Sequence, residues 1–465
     1  MLMEITTLLD EIAAYCGQNG IAESTFGRLA INDGKLMGRL RTGGRITEQT
    51  CARIRAFMRD NPEPLRRRAS GQRAGKTWPA VRALVPWLNP EAEKSFRFYD
   101  NRQKYLLFVT TSSEKWMVAE RASAELANIR PHPPAVRLFD AGVGDGSVLA
   151  RVMRAMHSRF PTMPFYIVGK EISVENLRLT LEKMPDRFCE HPSTVLVMTN
   201  LFFSEAPWLQ SRLPDAPPPV WHELALTGTT GHEFEQQITN LQPLLAANWQ
   251  AHADAKTGSP VYERPVVLVI YRKDYKFLLE PVLPRKGAAT ADFDFVLASQ
   301  PYRARASAKF KARAVIAPLA RALGPGGRLL GIHSHGEGPG LEIVRRIWPD
   351  DNPFDTDRHQ LLREVKTALG PSARKFNFQA SSDAHSRFRY EMYTLPSEIG
   401  ANIGTSTLLA AWNAAVYVAQ IEDDRLEHVI SHQDYLDATA EVLRKHGGLW
   451  FWDETYVISR RQEPA

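Results

Sequence analysis

The sequence predicts a mixed α/β protein: a mostly parallel sheet with helices on both faces, preceded by a small all-α domain. Three observations predict this fold. From residue 136 onward, short apolar runs such as VRLFDAG alternate with segments of helical period. Such alternation is typical of β-α-β units, whose strands run parallel. Residues 1–61 carry only helical patterns, and the basic segment 62–79 that follows has no apolar period.

The composition is that of a globular protein. Of the 465 residues, 44% are hydrophobic and 24% are charged. No apolar run reaches the roughly 18–20 residues of a membrane span, and the N-terminus MLMEITTLLDE carries acids where a signal peptide carries Lys or Arg. The three cysteines, Cys16, Cys51 and Cys189, are far apart, which suggests a reducing compartment. We therefore expect a cytoplasmic protein with no membrane contact and no metal site.

Residues 1–61 predict four short helices. In the third, KLMGRLRT, the side chains of Leu36 and Leu40 form an apolar seam. Lys35, Arg39 and Thr42 follow at i, i+4 and i+7 on another face. A helix, a glycine-containing turn (INDG) and a helix with a basic polar face resemble the helix-turn-helix domains of bacterial repressors.

The positive charge is concentrated near the front of the chain. Residues 35–76 contain 12 Lys or Arg and three acids. This excess predicts a polyanion partner, with DNA possible through residues 22–76 and with Lys35, Arg39 and Thr42 as the reading residues. The alternatives are a solvated linker and a helical bundle used for packing or dimerisation.

Residues 80–465 predict the α/β domain, with two insertions at about 203–290 and 396–447. We expect the insertions to hold a further strand-like run, RPVVLVIYR, and two apolar helices, respectively. RFRYEMYTL and LWFWDETYVISR are expected to close the sheet as an antiparallel pair. The expected strands are 136–142, 165–173, 193–200, 293–299 and 326–336, and the expected helices between them are 147–160, 174–184 and 307–323.

The segment LFDAGVGDGSVL (138–149) carries the clearest functional pattern. A strand ends at Asp140, and Gly142, Gly144 and Gly146 then form a tight loop into a helix. Acidic Glu171 closes the next strand 25 residues after Gly146, and Asn200 closes the third. Together these features resemble the class I S-adenosylmethionine-dependent methyltransferases over roughly residues 105–335. The alternatives are an NAD-type dehydrogenase and a glycine turn without function.

The resemblance implies a Rossmann-like, seven-stranded methyltransferase sheet and S-adenosyl-L-methionine as the cofactor. It implies that Asp140 and the glycine loop border the methionine portion of the cofactor. Glu171 would accept both ribose hydroxyls, because a carboxylate offers two acceptor oxygens. Asn200 would face the adenine edge, with Leu201 against its ring.

The segment FVTTSSEKW (108–116) lies where this family often closes a lid over the cofactor. Thr111 is expected to cap the following helix in a capping box with Glu114. The resemblance implies that Thr111 and Lys115 approach the cofactor carboxylate, and the alternative is a capped helix with a purely structural role.

The fourth strand ends in Ser299-Gln300-Pro301-Tyr302. Amino-methylating DNA methyltransferases carry (N/D/S)-P-P-(Y/F) there, and the ribosomal-RNA adenine dimethylases carry N-L-P-Y or N-I-P-F. This resemblance implies that Ser299 Oγ and the Gln300 carbonyl accept hydrogen bonds from the N–H groups of an amine. Pro301 would fix the turn and Tyr302 would stack on an extruded base. Gln300 in place of a second proline departs from the DNA-methyltransferase pattern.

Three functions follow. The first is methylation of an exocyclic amino group of a DNA base, adenine N6 or cytosine N4. The second is N- or O-methylation of a small molecule in a capped pocket, with a regulatory or dimerising N-terminal domain. The third is a DNA-binding regulator that uses S-adenosylmethionine as an effector. The oligomeric state stays open.

Overall fold

The computed structural model divides into two compact units, Met1–Pro79 and Ala80–Ala465. The residues it describes are 2–19, 23–31, 33, 36–42, 46–60, 102–211, 218–254, 260–394, 396–400, 402–430 and 434–462. The predicted linker 62–79 and the predicted DNA contact Lys35 lie outside these ranges. Within them, no helix has both the length and the apolar character needed to cross a membrane.

The N-terminal unit is built from helices in its described part. One apolar side chain from each helix is fully buried in a shared core, at Ile12, Phe26, Leu36 and Ile54. The helical period of the sequence produces this core, because residues three or four apart lie on one helix face. The helices are α1 (Leu2–Asn19), α2 (Glu23–Ile31), α3 (Leu36–Arg41) and α4 (Glu48–Asp60).

The second unit is a mixed α/β structure around one large sheet, as the sequence predicts. The described sheet has ten strands, so the predicted count of seven is not confirmed. Its order is β10-β12-β9-β8-β1-β2-β3-β7-β4, with β11 also paired to β12. The strands are β1 (Val136–Asp140), β2 (Phe165–Lys170), β3 (Thr194–Thr199), β4 (Val220–Leu226), β7 (Val266–Arg272), β8 (Phe293–Ser299), β9 (Leu323–His335), β10 (Phe376–Gln379), β11 (Arg387–Glu391) and β12 (Trp450–Arg460). A separate hairpin contains β5 (Ala251–Ala253) and β6 (Pro260–Tyr262).

The centre of the sheet is parallel, and its order reverses at β1. Strand β1 pairs in parallel with β2 on one side and with β8 on the other. The chain therefore changes direction across the sheet between β1 and β8, which is where open α/β sheets bind ligands. Strands β2 and β3 are buried at every position, as expected for strands covered by helices on both faces.

The last strand of the chain enters the sheet in the opposite direction. β12 pairs antiparallel with β9 and with β11, so the predicted closing pair is confirmed. Because β12 is antiparallel, its beginning lies at the sheet edge where β8 and β9 end. That edge, at the carboxyl ends of the parallel strands, is called the carboxyl edge below.

Helices cover both faces of the sheet. One face packs against the helical segment that follows β8, through Leu319, and against the helix that contains Leu361. The other face packs against helices that contribute Val118, Val152 and Leu177. The helices of this unit are α5 (Arg102–Thr111), α6 (Glu114–Glu125), α7 (Ser147–Arg159), α8 (Val174–Glu182), α9 (Met184–Glu190), α10 (Gly231–Thr239), α11 (Gln242–Asn248), α12 (Lys276–Leu279), α13 (Ala308–Phe310, continued by a π-helix at Lys311–Ile316), α14 (Ala317–Arg321), α15 (Pro339–Ile347), α16 (Arg358–Leu369), α17 (Asp383–Ser386), α18 (Thr405–Val418), α19 (Asp423–Ile430) and α20 (Asp434–His446).

The C-terminal helices hold α5 in place. Phe108 of α5 belongs to the same apolar cluster as Trp412 of α18 and Phe451 of β12. Its ring lies 5.0 Å from the Tyr417 ring, and Asn413 Nδ2 donates to the Lys104 carbonyl at 3.0 Å. The helix before the predicted lid segment is therefore packed against α18.

The insertion after β3 lengthens the sheet by two strands, β4 and β7, and so accounts for two of the three strands beyond the predicted seven. β7 pairs antiparallel with β3, and β4 pairs in parallel with β7. The insertion also buries Trp249, whose indole N–H donates to the Glu171 carbonyl at 3.1 Å. The insertion thus braces the acidic residue that ends the second strand.

The predicted capping box at Thr111 is wrong. Thr111 is the last residue of α5, and its hydroxyl donates back to the Leu107 carbonyl at 2.6 Å. The N-cap of α6 is Ser113, which makes no side-chain capping bond. The hydroxyl of Thr111 is consumed one turn back, a common alternative for Thr in a helix.

Candidate functional site

The glycine loop connects β1 to α7 at the carboxyl edge. Gly144 and Gly146 have positive φ angles of 59° and 80°, which favour glycine. A β-carbon on Gly146 would lie 2.8 Å from the Thr180 Cα, so close packing also requires glycine there. Gly142 differs, because a β-carbon there would meet nothing nearer than the Ser299 carbonyl oxygen at 3.9 Å. The position beside Gly142 that faces Ser299 therefore has room for one further carbon atom.

Glu171 anchors the loop from the neighbouring strand. Its Oε2 accepts the Gly144 N–H at 2.8 Å, and its Oε1 accepts the N–H groups of Ile172 and Ser173, both at 2.8 Å. Burial raises the pKa of this carboxyl, while the Ser173 N–H and Lys170 oppose the rise. A carboxylate has about four acceptor positions, so roughly one stays available for a ligand hydroxyl.

Asp140 is a second buried carboxyl beside the loop. Its Oδ1 accepts the Gly142 N–H at 3.1 Å. Burial raises the pKa of Asp140 to about 7, and the nearby Glu171 carboxyl adds to this rise. The Gly142 N–H and the Lys115 ammonium partly oppose it. Two acids with raised pKa values thus flank the glycine loop, and a positive charge placed there would favour their ionised forms.

Tyr105 of α5 covers the loop, and sequence reasoning missed it. Its hydroxyl accepts the Asp145 N–H at 3.2 Å and would lie 2.8 Å from a β-carbon on Gly144. Lys115 Nζ lies 5.6 Å from the Tyr105 ring centroid and 3.0 Å from Glu114 Oε2. The only signal in the sequence for this contact is that α5 and α6 come shortly before the first strand.

The remaining predicted cofactor residues lie on the periphery of this arrangement. Asn200 donates to the Arg264 carbonyl and accepts the Val266 N–H, both at 2.8 Å, so its amide joins β3 to the insertion. Leu201 is fully buried in the core. Thr111 ends α5 as described above. The adenine and carboxylate contacts suggested for these residues stay predictions.

The end of β8 has an unusual backbone. Gln300 has a φ of 47°, in a region that non-glycine residues seldom adopt. Its Nε2 donates to Ser334 Oγ at 3.0 Å and to Asp453 Oδ1 at 3.1 Å. These bonds hold β8, β9 and β12 together at the carboxyl edge. Ser299, just before, is partly exposed beside Gly142.

Tyr302 lies in a buried hydrogen-bond network. It is 9% exposed, and its hydroxyl contacts His333 Nδ1 at 2.8 Å and the Tyr456 hydroxyl at 3.3 Å. His333 Nε2 contacts Glu454 Oε1 at 2.7 Å, and Glu454 Oε2 accepts a 2.7 Å bond from Arg358. With the ring so enclosed, stacking of Tyr302 on a base stays a prediction. Pro301 precedes it in the turn.

The alternation of side chains along the strands places the glycine-loop residues and the Tyr302 network on opposite faces of the sheet. Side chains two residues apart on a strand share a sheet face. Asp140 and Ser299 lie in step with Leu138 and Leu297, which belong to the core of one face. His333 and Glu454 lie in step with residues of the other face, where Tyr302 also packs. The structure therefore brings Asp140, Glu171 and Ser299 to one side of the edge and the Tyr302 network to the other.

Burial lowers the pKa of His333, although Glu454 opposes this change, so the imidazole is neutral near neutral pH. Burial alone would raise the pKa of Glu454, but bonds from His333 and Arg358 outweigh it and bring the pKa to about 2. A neutral imidazole donates from one nitrogen and accepts at the other. Nε2 therefore donates to Glu454, and Nδ1 accepts a hydrogen bond from the Tyr302 hydroxyl. These bonds give the network a structural role, because they join β9 and β12 to the turn that follows β8.

The predicted DNA contacts are partly engaged within the N-terminal unit. Arg39 pairs with Asp33 at 2.5 Å, and Arg41 makes two bonds to Glu23, at 2.6 and 2.8 Å. The Thr42 hydroxyl donates to the Arg39 carbonyl at 3.0 Å. Helix α3 is six residues long, and these pairs reduce its net charge. DNA binding by this face stays a prediction.

Comparison with known proteins finds only remote similarity. No protein-family model matches the sequence, and no curated protein matches it. Geranyl diphosphate methyltransferase in complex with GPP and sinefungin is 12% identical, covering 74% of this chain and 77% of that one, with a TM-score of 0.27. PKMT2 from Rickettsia typhi in complex with AdoHcy is 10% identical (75% and 53% covered, TM-score 0.25), and MNMC2 from Aquifex Aeolicus is 10% identical (74% and 75% covered, TM-score 0.20). Similarity at this level does not establish the family or the function of this chain.

Proposed function

We propose that this chain is an S-adenosylmethionine-dependent methyltransferase that acts on a small-molecule acceptor. One observation carries the proposal: the buried carboxyls of Asp140 and Glu171 flank a glycine loop at the switch point of the sheet. A sulfonium and an ammonium group suit such a site, because nearby cations favour ionised carboxylates. An acid at the position of Glu171 also occurs in dinucleotide-binding folds, but a pyrophosphate on this loop would in addition meet the Asp140 carboxyl, whose charge would repel it.

The residues present fit this cofactor. Glu171 retains acceptor capacity for a ribose hydroxyl, Asp140 accepts a bond from the loop, and the lack of a side chain at Gly142 would let a ligand approach the main chain. The antiparallel β12 beside β9 also departs from the all-parallel order of dinucleotide-binding folds. When bound, S-adenosylmethionine supplies a methyl group on a positively charged sulfur. The chain's own contribution is to orient that group and the acceptor at the end of β8.

Two features support a small acceptor over a DNA base. Tyr105 covers the glycine loop, and α5 is packed against α18, so the loop is enclosed on that side. Tyr302, which would stack on an extruded base, is hydrogen bonded within the core. A DNA-binding regulator that uses the cofactor as an effector is the remaining alternative, and it would transfer no methyl group.

Methyl transfer from radiolabelled S-adenosylmethionine tests the proposal. The unchanged protein is incubated with a metabolite extract and, separately, with unmethylated plasmid DNA. We expect label in small molecules and none in DNA. Glu171→Gln should lose this label, whereas Asp294→Asn, a buried acid at the opposite end of β8, should retain it. Label in DNA would restore the base-methylating function, and no label with either acceptor would contradict an enzyme.

A further inference from the structure

Asp453 is a buried acid at the carboxyl edge with one oxygen unused. It lies in β12 opposite Ser334 of β9 and is 0% exposed. Its Oδ1 accepts the Gln300 amide at 3.1 Å. Its Oδ2 is buried and has no hydrogen-bond partner among the described residues. Leaving a buried carboxylate oxygen unpaired costs free energy, so this oxygen has the character of a ligand contact.

Asp453 lies on the same sheet face as the cofactor residues. It alternates in step with Val457, which packs against the core cluster that also contains Leu138 and Leu297. Gln300, the residue directly after Ser299, donates a hydrogen bond to Asp453. The glycine loop, the end of β8 and Asp453 therefore lie along one side of the edge.

Gln300 is held in a strained conformation that aims its amide at Asp453. Its positive φ persists because three bonds fix it: the main-chain N–H to the Ile332 carbonyl at 2.9 Å, and the two side-chain donations described above. Strain of this kind concentrates at functional sites. Here it fixes the Asp453 carboxyl relative to the end of β8.

The charges around Asp453 suit a cationic or amino ligand. Burial raises the pKa of Asp453 well above its usual value and Glu114 adds to this rise, while Ser334 and Lys115 oppose it. A positive charge close to Oδ2 would reverse this effect and favour the carboxylate. Ser299-Gln300-Pro301-Tyr302 itself contains no carboxylate that could accept a proton.

We infer that Asp453 is the catalytic residue that accepts the proton of an amino acceptor, and that Gln300 is its positioning residue. The inference rests on the proposed function and names its substrate class as an amine. The nitrogen lone pair forms the new N–CH₃ bond while the C–S bond breaks. The bonding pair of the C–S bond stays on sulfur, which gives neutral S-adenosylhomocysteine. The proton released from the methylated nitrogen passes to Asp453 Oδ2.

Binding of sinefungin and S-adenosylhomocysteine tests this inference without knowledge of the acceptor. Sinefungin carries an amine where S-adenosylmethionine carries its reactive methyl, whereas S-adenosylhomocysteine has no group there. If Asp453 faces that position, isothermal titration should show sinefungin binding roughly 10- to 100-fold more tightly, as a hydrogen bond to a charged group implies.

Asp453→Asn keeps the shape of the side chain and removes its charge. We expect the preference for sinefungin to fall to within about threefold of unity, with S-adenosylhomocysteine binding unchanged. Asp294→Asn is the matched control, since Asp294 is also buried but lies at the start of β8. Gln300→Asn, which tolerates positive φ but is one methylene shorter, should lower the preference even if Asp453→Asn does not fold.

The outcomes separate the two proposals. A preference for sinefungin that Asp453→Asn abolishes and Asp294→Asn retains would support the inference. No preference in the unchanged protein, or a preference that survives Asp453→Asn, would overturn it while leaving the methyltransferase proposal intact. If neither ligand bound the unchanged protein, the proposed function itself would fail.

Discussion

Adding one methyl group at Gly142 probes the space beside the glycine loop. In Gly142→Ala the new β-carbon would lie 3.9 Å from the Ser299 carbonyl oxygen, an ordinary van der Waals contact, and Gly142 has no positive φ. The folded chain should therefore accept the change with little loss of stability. The methyl group would instead occupy space assigned to the cofactor. Overpacking costs about 1–3 kcal/mol, which corresponds to roughly 5- to 150-fold weaker binding.

Thermal unfolding and isothermal titration with S-adenosylmethionine measure these two effects separately. Gly146→Ala is the contrasting variant, because its φ of 80° and its 2.8 Å approach to Thr180 Cα both exclude a side chain. We expect it to destabilise the fold by about 2–5 kcal/mol. If Gly142→Ala bound S-adenosylmethionine as tightly as the unchanged protein, the space beside Gly142 would not be part of a cofactor site.

Three further predictions concern other parts of the molecule. In the folded protein the pKa of Glu454 is about 2, below its usual 4.5. The ionised carboxylate therefore stabilises the fold above pH 4.5, and this stabilisation is lost as the pH falls toward 2. Glu454→Gln should therefore lower the free energy of unfolding by about 3 kcal/mol at neutral pH. Denaturant titrations should show that the stability of this variant depends less on pH between 4.5 and 2, and an unchanged pH dependence would contradict the prediction. Tyr105→Phe should weaken S-adenosylmethionine binding about fivefold in titrations through loss of the Asp145 bond, and unaltered affinity would exclude a covering role. Arg39→Ala should change DNA retention on filters by less than about twofold, because Asp33 already pairs with Arg39, and a steep salt-dependent loss would instead support DNA binding.

The local pattern of the sequence predicted most strands of the sheet, but not β4 and β10. β8 lies at Phe293–Ser299, the predicted bounds, because a mainly apolar run, interrupted only by Asp294, fits a strand buried on both faces. The glycine loop and Glu171 were identifiable for a similar reason: the tight turn and the acid at the next strand end are short-range features. Their bond at Gly144 joins residues 27 positions apart.

The features that required the structure depend on long-range pairing. Asp453 and Gln300 are 153 residues apart, and only the antiparallel entry of β12 beside β9 brings them together. The inward direction of Tyr302 depends on His333 and Glu454, which local periodicity does not encode. The predicted capping box failed because Thr111 had a competing acceptor one turn back in α5. Short polar motifs have several such local partners, and packing selects among them.

On the proposed function, the carboxyl edge around Asp140, the glycine loop and Glu171 binds S-adenosylmethionine. Isothermal titration of the unchanged protein with S-adenosylmethionine, and with NAD⁺ in parallel, measures this binding. We expect saturable binding of S-adenosylmethionine at one site per chain and none of NAD⁺, because the buried Asp140 carboxyl beside the loop favours a cation and repels a pyrophosphate. Saturable binding of NAD⁺ without binding of S-adenosylmethionine would contradict the claim and make the chain a dinucleotide-binding protein.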